Sequence, residues 1–142
     1  KPLTQTNRRV TTMSDNKNIL VIDDEAAVRR AFELALEDTD YSVSTADCGE
    51  KGVAMVNEGD YQLVFLDLKM PGMNGVQTLK GIREKHPTLP VYIVTAFHKE
   101  FLTELDDVRK ENIQFQLLRK PIGNVEIMAL AQSVLDRPTS LS

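Results

Sequence analysis

Five side chains in this 142-residue sequence could do chemistry together. Asp23 and Asp24 are adjacent, Asp67 follows 43 residues after the second of them, Thr95 stands 28 further on, and Lys120 another 25. Three carboxylates brought to one place repel one another unless positive charge intervenes. A hard divalent cation such as Mg²⁺, with Mn²⁺ as a substitute, supplies that charge through oxygen ligands; Mg²⁺ typically takes one or two carboxylates plus phosphate oxygens. Lys120 adds an ammonium and Thr95 a hydroxyl donor. Such a set suits a phosphoryl group, whose charge the cations draw in while the hydroxyl donates to it. A carboxylate held there can itself be the nucleophile and form an acyl phosphate. Asp67, placed between the metal and Lys120, is the candidate nucleophile.

These residues can meet only if the elements before them end at one place. Residues 18–23 (NILVID), 63–67 (LVFLD) and 91–95 (VYIVT) are continuous apolar runs that close on Asp23, Asp67 and Thr95. Residues 41–46 and 113–118 alternate instead, the second running on to Lys120. Between the strands lie helical patterns at 25–37, 49–57, 76–85 and 99–110, with a last one at 124–135. Strand–helix repeated five times predicts an α/β fold, a doubly wound parallel sheet with helices on both faces. Strands covered on both faces read as continuous apolar runs, whereas edge strands can alternate. Strands two and five should therefore be the edges, which matches the flavodoxin-like order 2-1-3-4-5. In that order ligands bind beyond the carboxyl ends of the strands, where the five residues fall. Pro71-Gly72, in the loop after Asp67, suits the two central positions of a type II turn.

The pattern VIDDE…FLDLKMPGMNG…VTA…LRKP resembles the receiver domain of bacterial two-component response regulators, a (βα)₅ fold, over about residues 17–136. The resemblance implies a response regulator receiver, a phosphoprotein of phosphorelay signal transduction rather than an enzyme. It would catalyse only its own phosphorylation and dephosphorylation. Asp67 would accept a phosphoryl group from the phosphohistidine of a sensor histidine kinase or phosphotransfer protein. Asp24 would bind Mg²⁺ directly and Asp23 directly or through water, with Asp67 and the backbone carbonyl of Lys69 as further ligands. Thr95 would bind the phosphoryl oxygens, and Lys120 would pair with Asp67 or its phosphate. The Lys120–Pro121 bond is often cis in such domains, and Ala96 leaves room for access. Output would pass to a downstream protein partner or dimer through the strand-five surface, in the cytoplasm, with neither nucleic acid nor membrane bound by this domain.

Two positions depart from the family pattern. The aromatic residue often found three before the lysine is Leu117 here, with Phe115 two residues earlier; this puts the usual aromatic relay in doubt, not phosphorylation. Lys69 and Phe97 stand two after the Asp and two after the Thr, where a basic chain and a bulky ring could hinder the attacking water and give a long-lived phosphoryl group. Two other functions compete. A haloacid-dehalogenase-type aspartyl phosphatase usually has a second Asp two residues after its nucleophile, where Lys69 stands. A pseudo-receiver that is never phosphorylated usually lacks one of the acids or the lysine, and none is missing here.

Taken singly, each residue has an ordinary reading: Asp24 as a helix cap, Asp67 as a loop acid, Thr95 as a strand end and Lys120 as a solvated charge. Their conjunction carries the inference. His86, at a helix end before Pro87, suits the helix dipole, and His98 lacks metal-spaced partners. Met70 and Met73 read as packing residues, and Cys48 as an inert small side chain that excludes an intramolecular disulfide. The net charge is -4, yet the first 17 residues hold Lys1, Arg8, Arg9 and Lys17 against Asp15 alone. The remainder is acidic and a poor match for a phosphate backbone. Residues 1–16 read as a disordered or vector-derived tail, with Met13 as a native start, and 137–142 as a C-terminal tail. The stretch after residue 136 is too short for an output domain.

Overall fold

The computed structural model describes residues 17–96 and 99–136. The expectations for the two tails, for Phe97 and for His98 lie outside the described residues. The element order is β1 (Asn18–Ile22), α1 (Ala26–Ala35), β2 (Ser42–Ala46), α2 (Gly49–Glu58), β3 (Leu63–Asp67), α3 (Gly75–Lys85), β4 (Val91–Thr95), a 3₁₀ turn (Lys99–Phe101), α4 (Leu102–Lys110), β5 (Gln116–Arg119) and α5 (Asn124–Leu135). All neighbouring strands pair in parallel, in the order β2-β1-β3-β4-β5. The edges are the two strands whose residues alternate, as their patterning predicts.

The continuous runs are explained by burial on both sides of the sheet. Leu20, Ile22, Val64, Leu66, Val91 and Ile93 face one apolar cluster, with Val56 of α2, Leu79 and Ile82 of α3, and Leu105 and Val108 of α4. Ile19, Val21, Leu63, Phe65 and Val94 face the other, with Phe32 and Ala35 of α1 and Ile127 and Ala131 of α5. Phe32 and Phe65 meet with ring centroids 4.8 Å apart. Burying these rows on two faces is the main stabilising term of the fold. Ala31 of α1 is exposed.

The register brings the strand ends level. Ile22 pairs with Ala46 and Leu66, Asp67 with Val94, and Thr95 with Arg119. Asp23, Asp24, Asp67, Thr95 and Lys120 therefore emerge along one rim. Two local details shape that rim. Gly72 has φ of 74°, the left-handed conformation that the third residue of a type II turn requires. Gly75 opens α3 so close to the end of β3 that a Cβ there would lie 2.5 Å from the Asp67 carbonyl oxygen and 2.7 Å from Leu68 Cα. Asn74 and Gln77 close a capping box at that helix start.

Strand five begins three residues later than its alternation suggests. Arg83 on α3 donates two hydrogen bonds to the Gln114 carbonyl, at 3.1 and 2.7 Å, and so takes that acceptor out of the ladder. Asn112 adopts φ of 64°, and the Ile113 amide bonds back to Val108. Residues 113–115 thus belong to the turn from α4, where Arg109 lies over the Phe115 ring at 4.6 Å. Ile113 and Phe115 pack against the first cluster, but Leu117 is 40% exposed.

Candidate functional site

The site is a shallow cleft of about 570 Å³ above the carboxyl ends of the strands, lined by Asp24, Glu25, Asp67, Lys69, Ala96 and Lys120 among others. Asp23 and Asp67 are buried at 3% and 7% exposure, whereas Asp24 is exposed. One carboxylate oxygen from each of the three lies within 4.8 Å of the others. The half-buried Lys120 reaches into this group. Its Nζ donates to Asp67 Oδ1 at 3.0 Å and to Asp23 Oδ2 at 3.2 Å. Asp23 is fixed further by the Glu25 amide, which donates to its Oδ1 at 2.9 Å. Its carbonyl accepts from Arg29 at 2.8 Å.

Thr95 ends β4 at 4% exposure, and its carbonyl accepts from the Lys120 amide at 2.7 Å. That backbone bond ties the hydroxyl-bearing strand end to the lysine. The Lys120–Pro121 bond is cis. Lys69 lines the cleft and pairs with Glu100 at 3.7 Å. Asp24 does not cap α1: the cap position is Glu25, without a side-chain cap bond.

The electrostatics arise from crowding. Burial, and next the charge of Asp23, push the Asp67 carboxyl up to about 6, against the opposing pull of Lys120. Burial also raises Asp23, although the Glu25 amide and Lys120 work the other way. For Lys120, burial disfavours the ammonium, but its bonds to Asp67 and Asp23 prevail and its pKa is raised. One ammonium is thus shared by two buried acids with a third acid alongside, a donor set deficient in positive charge. All-oxygen ligands and a charge deficit fit a hard divalent cation. Glu25 is a further site residue that the sequence pattern marks only as the start of a helix. Its Oε1 lies 3.9 Å from Lys120 Nζ, and its position directly after the acid pair was the available signal.

The remaining expectations fall outside the cleft. His86 is the C-cap residue of α3, and its Nε2 lies 3.1 Å from Asn57 Oδ1. Cys48 is half-buried at the start of α2. Met70 is buried in the first cluster. Among the described residues, no helix is long and apolar enough to cross a membrane.

Known proteins share both the pattern and the shape. The response regulator receiver domain family matches residues 19–132. The alginate biosynthesis transcriptional regulatory protein AlgB of Pseudomonas aeruginosa is 33% identical over 126 residues, covering 89% of this chain and 27% of that protein. The transcriptional regulatory protein ResD of Bacillus subtilis is 39% identical over 87 residues, covering 61% of this chain and 36% of that protein. The chain thus spans about a third or less of these relatives' length. Among solved structures, the CheY-like receiver domain protein of Methanospirillum hungatei superposes with a TM-score of 0.75 at 22% identity, covering 89% of this chain and 98% of that one. The response regulator TrrA of Thermotoga maritima, solved with Mg²⁺ and BeF, gives 0.69 at 27% identity, covering 83% and 98%. With the five-stranded order and the acidic cleft in place, this chain belongs to the response regulator receiver domain family, a family of signalling domains.

Proposed function

We propose that the chain is the phosphoacceptor of a two-component system, with residues 17–136 as the receiver unit and Asp67 as the residue phosphorylated. The observation that carries this reading is the Lys120 ammonium bonded to Asp67 beside the Asp23 and Asp24 carboxylates. Asp23, Asp24, Asp67 and the Lys69 carbonyl would hold Mg²⁺ or Mn²⁺, which would neutralise the acids and the oxygens of an arriving phosphoryl group. An Asp67 oxygen attacks phosphorus in line, the phosphorus–nitrogen bond to the donor histidine breaks, and the electron pair leaves with the imidazole. Lys120 holds the nucleophile in place and then pairs with the phosphoryl oxygens. The Thr95 hydroxyl donates to those oxygens. The added charge biases two conformations of the β5 surface and its flanking helices.

Donor and output partners are read the same way. A sensor kinase or phosphotransfer protein supplies the phosphoryl group in the cytoplasm, where its ATP is. A protein partner or a dimer receives the signal, and the acidic surface leaves nucleic acid to other parts of any larger regulator. Incubation with acetyl phosphate and Mg²⁺ tests the core of this reading. An acid-stable, base-labile phosphoprotein is expected, lost in Asp67→Ala and on chelation. No label, or label indifferent to Asp67→Ala, would refute it; rapid turnover of phosphomonoesters would make the chain an enzyme instead.

A further inference from the structure

Lys69 has two anionic neighbours to serve. Leu68 and Met70, on either side of Lys69, are buried in the first apolar cluster, while Lys69 itself is exposed. It lines the Asp67 cleft, yet its ammonium pairs with Glu100, 3.7 Å away in the 3₁₀ turn that leads into α4. Resting Asp67 already has Lys120. A phosphoryl group would add a charge of about −1.5 to −2 and strong acceptor oxygens within the same cleft. The Lys69–Glu100 pair is more than half exposed on both sides. An exposed pair of this kind is weak, so a phosphoryl group can take the lysine from it. Glu100 adjoins Phe101, which is buried in one cluster with Leu105 and Val108 of α4. Whatever happens to Glu100 is therefore mechanically linked to α4.

We propose that Glu100 is a positioning residue: it holds the Lys69 ammonium off resting Asp67 and yields it to the phosphoryl group, so that phosphorylation frees the Lys99–Phe101 turn at the head of α4. This rests on the phosphoacceptor reading of Asp67. Linkage makes the effect reciprocal, so breaking the pair beforehand must strengthen phosphoryl binding by the same factor that loosens the turn.

Beryllium fluoride with Mg²⁺, a phosphoryl analogue, provides the test, read by deuterium exchange of residues 99–110 and by the analogue's dissociation constant. In Glu100→Gln, resting exchange of this segment is expected to rise about two- to fivefold, toward the level wild type reaches only with the analogue. With the analogue bound, the two proteins should coincide, and the variant should bind it tighter by a similar factor. Neither change should appear when Glu100→Gln is made in a Lys69→Met background, and high salt should erase both. Wild-type exchange and affinity in Glu100→Gln, or changes that persist without Lys69, would overturn the proposal while leaving phosphorylation standing. Failure of wild type to bind the analogue or to be labelled by acetyl phosphate would overturn the phosphoacceptor reading, and this proposal with it.

Discussion

A carboxyl pushed up to about 6 by burial and by its neighbour Asp23 binds its proton more tightly folded than unfolded. Its stabilising contribution is complete below the ordinary carboxylate value and lost as pH rises through about 6. Above that range, charged Asp67 is a standing cost that a divalent cation relieves. Asp67→Asn is therefore expected to raise the unfolding free energy of chelated protein by on the order of 1–2 kcal/mol near neutral pH, measured by denaturation. The difference from wild type should shrink toward about pH 4 and with saturating Mg²⁺. A difference independent of both would mean that carboxylate crowding is not the cause. Replacing Lys69 and Phe97 together by serine, with loss of phosphate timed after donor removal, is expected to shorten the phosphoryl lifetime several-fold. An unchanged rate would sink the idea that these side chains obstruct water. The reactive residues were legible because each sits where an apolar run stops, a position that sheet topology turns into a shared rim. Glu25 and Glu100 were not, because a glutamate at the start of a helix or turn looks like any other solvated charge until distances to Lys120 and Lys69 are known.

Among the elements, the central strands read true because two-sided burial leaves a continuous signature, and the last helix has the bounds its periodicity predicts, Asn124–Leu135. The start of β5 departs from its pattern for a non-local reason: Arg83 reaches 31 residues along the chain to claim the Gln114 carbonyl. No window of sequence around residue 114 contains that information. The junction of β3 and α3 carries the sharpest consequence at this scale. Gly75 leaves no room for a methyl against the backbone of Asp67 and Leu68, and its own amide donates to the Leu68 carbonyl at 2.7 Å. Gly75→Ala must push the end of β3, and with it the nucleophile, away from Asp23. We expect a loss of about 1–3 kcal/mol of stability together with weaker Mg²⁺ binding, measured by denaturation and by titration calorimetry. Stability lost with Mg²⁺ affinity unchanged would separate the packing of this junction from the geometry of the site.

At the scale of the whole molecule, the chemistry is gathered at one end of the sheet and the opposite end carries a different cluster. Lys17, just before β1, pairs with Asp136 at 2.8 Å and Asp40 at 3.3 Å. The Tyr41 hydroxyl donates to the other oxygen of Asp136 at 2.5 Å. Burial, and next the bond to Asp136, push that phenol up to about 12. Asp136 is held below its ordinary value by Lys17 and Tyr41. These contacts join the first described residues to the last. The two ends of the folded unit thus leave side by side, on the face away from the acids. Such a body has the geometry of a cassette: it can be spliced into a longer chain, or cut and rejoined, without disturbing its interior. A circular permutant that links residues 17 and 136 through a short Gly/Ser bridge and opens the chain in the α2–β3 loop is expected to fold and to be labelled at Asp67 at the wild-type rate. Loss of labelling in a folded permutant would show that the reactive rim depends on where the chain is broken, and that a regulator could switch this unit by tugging on its ends.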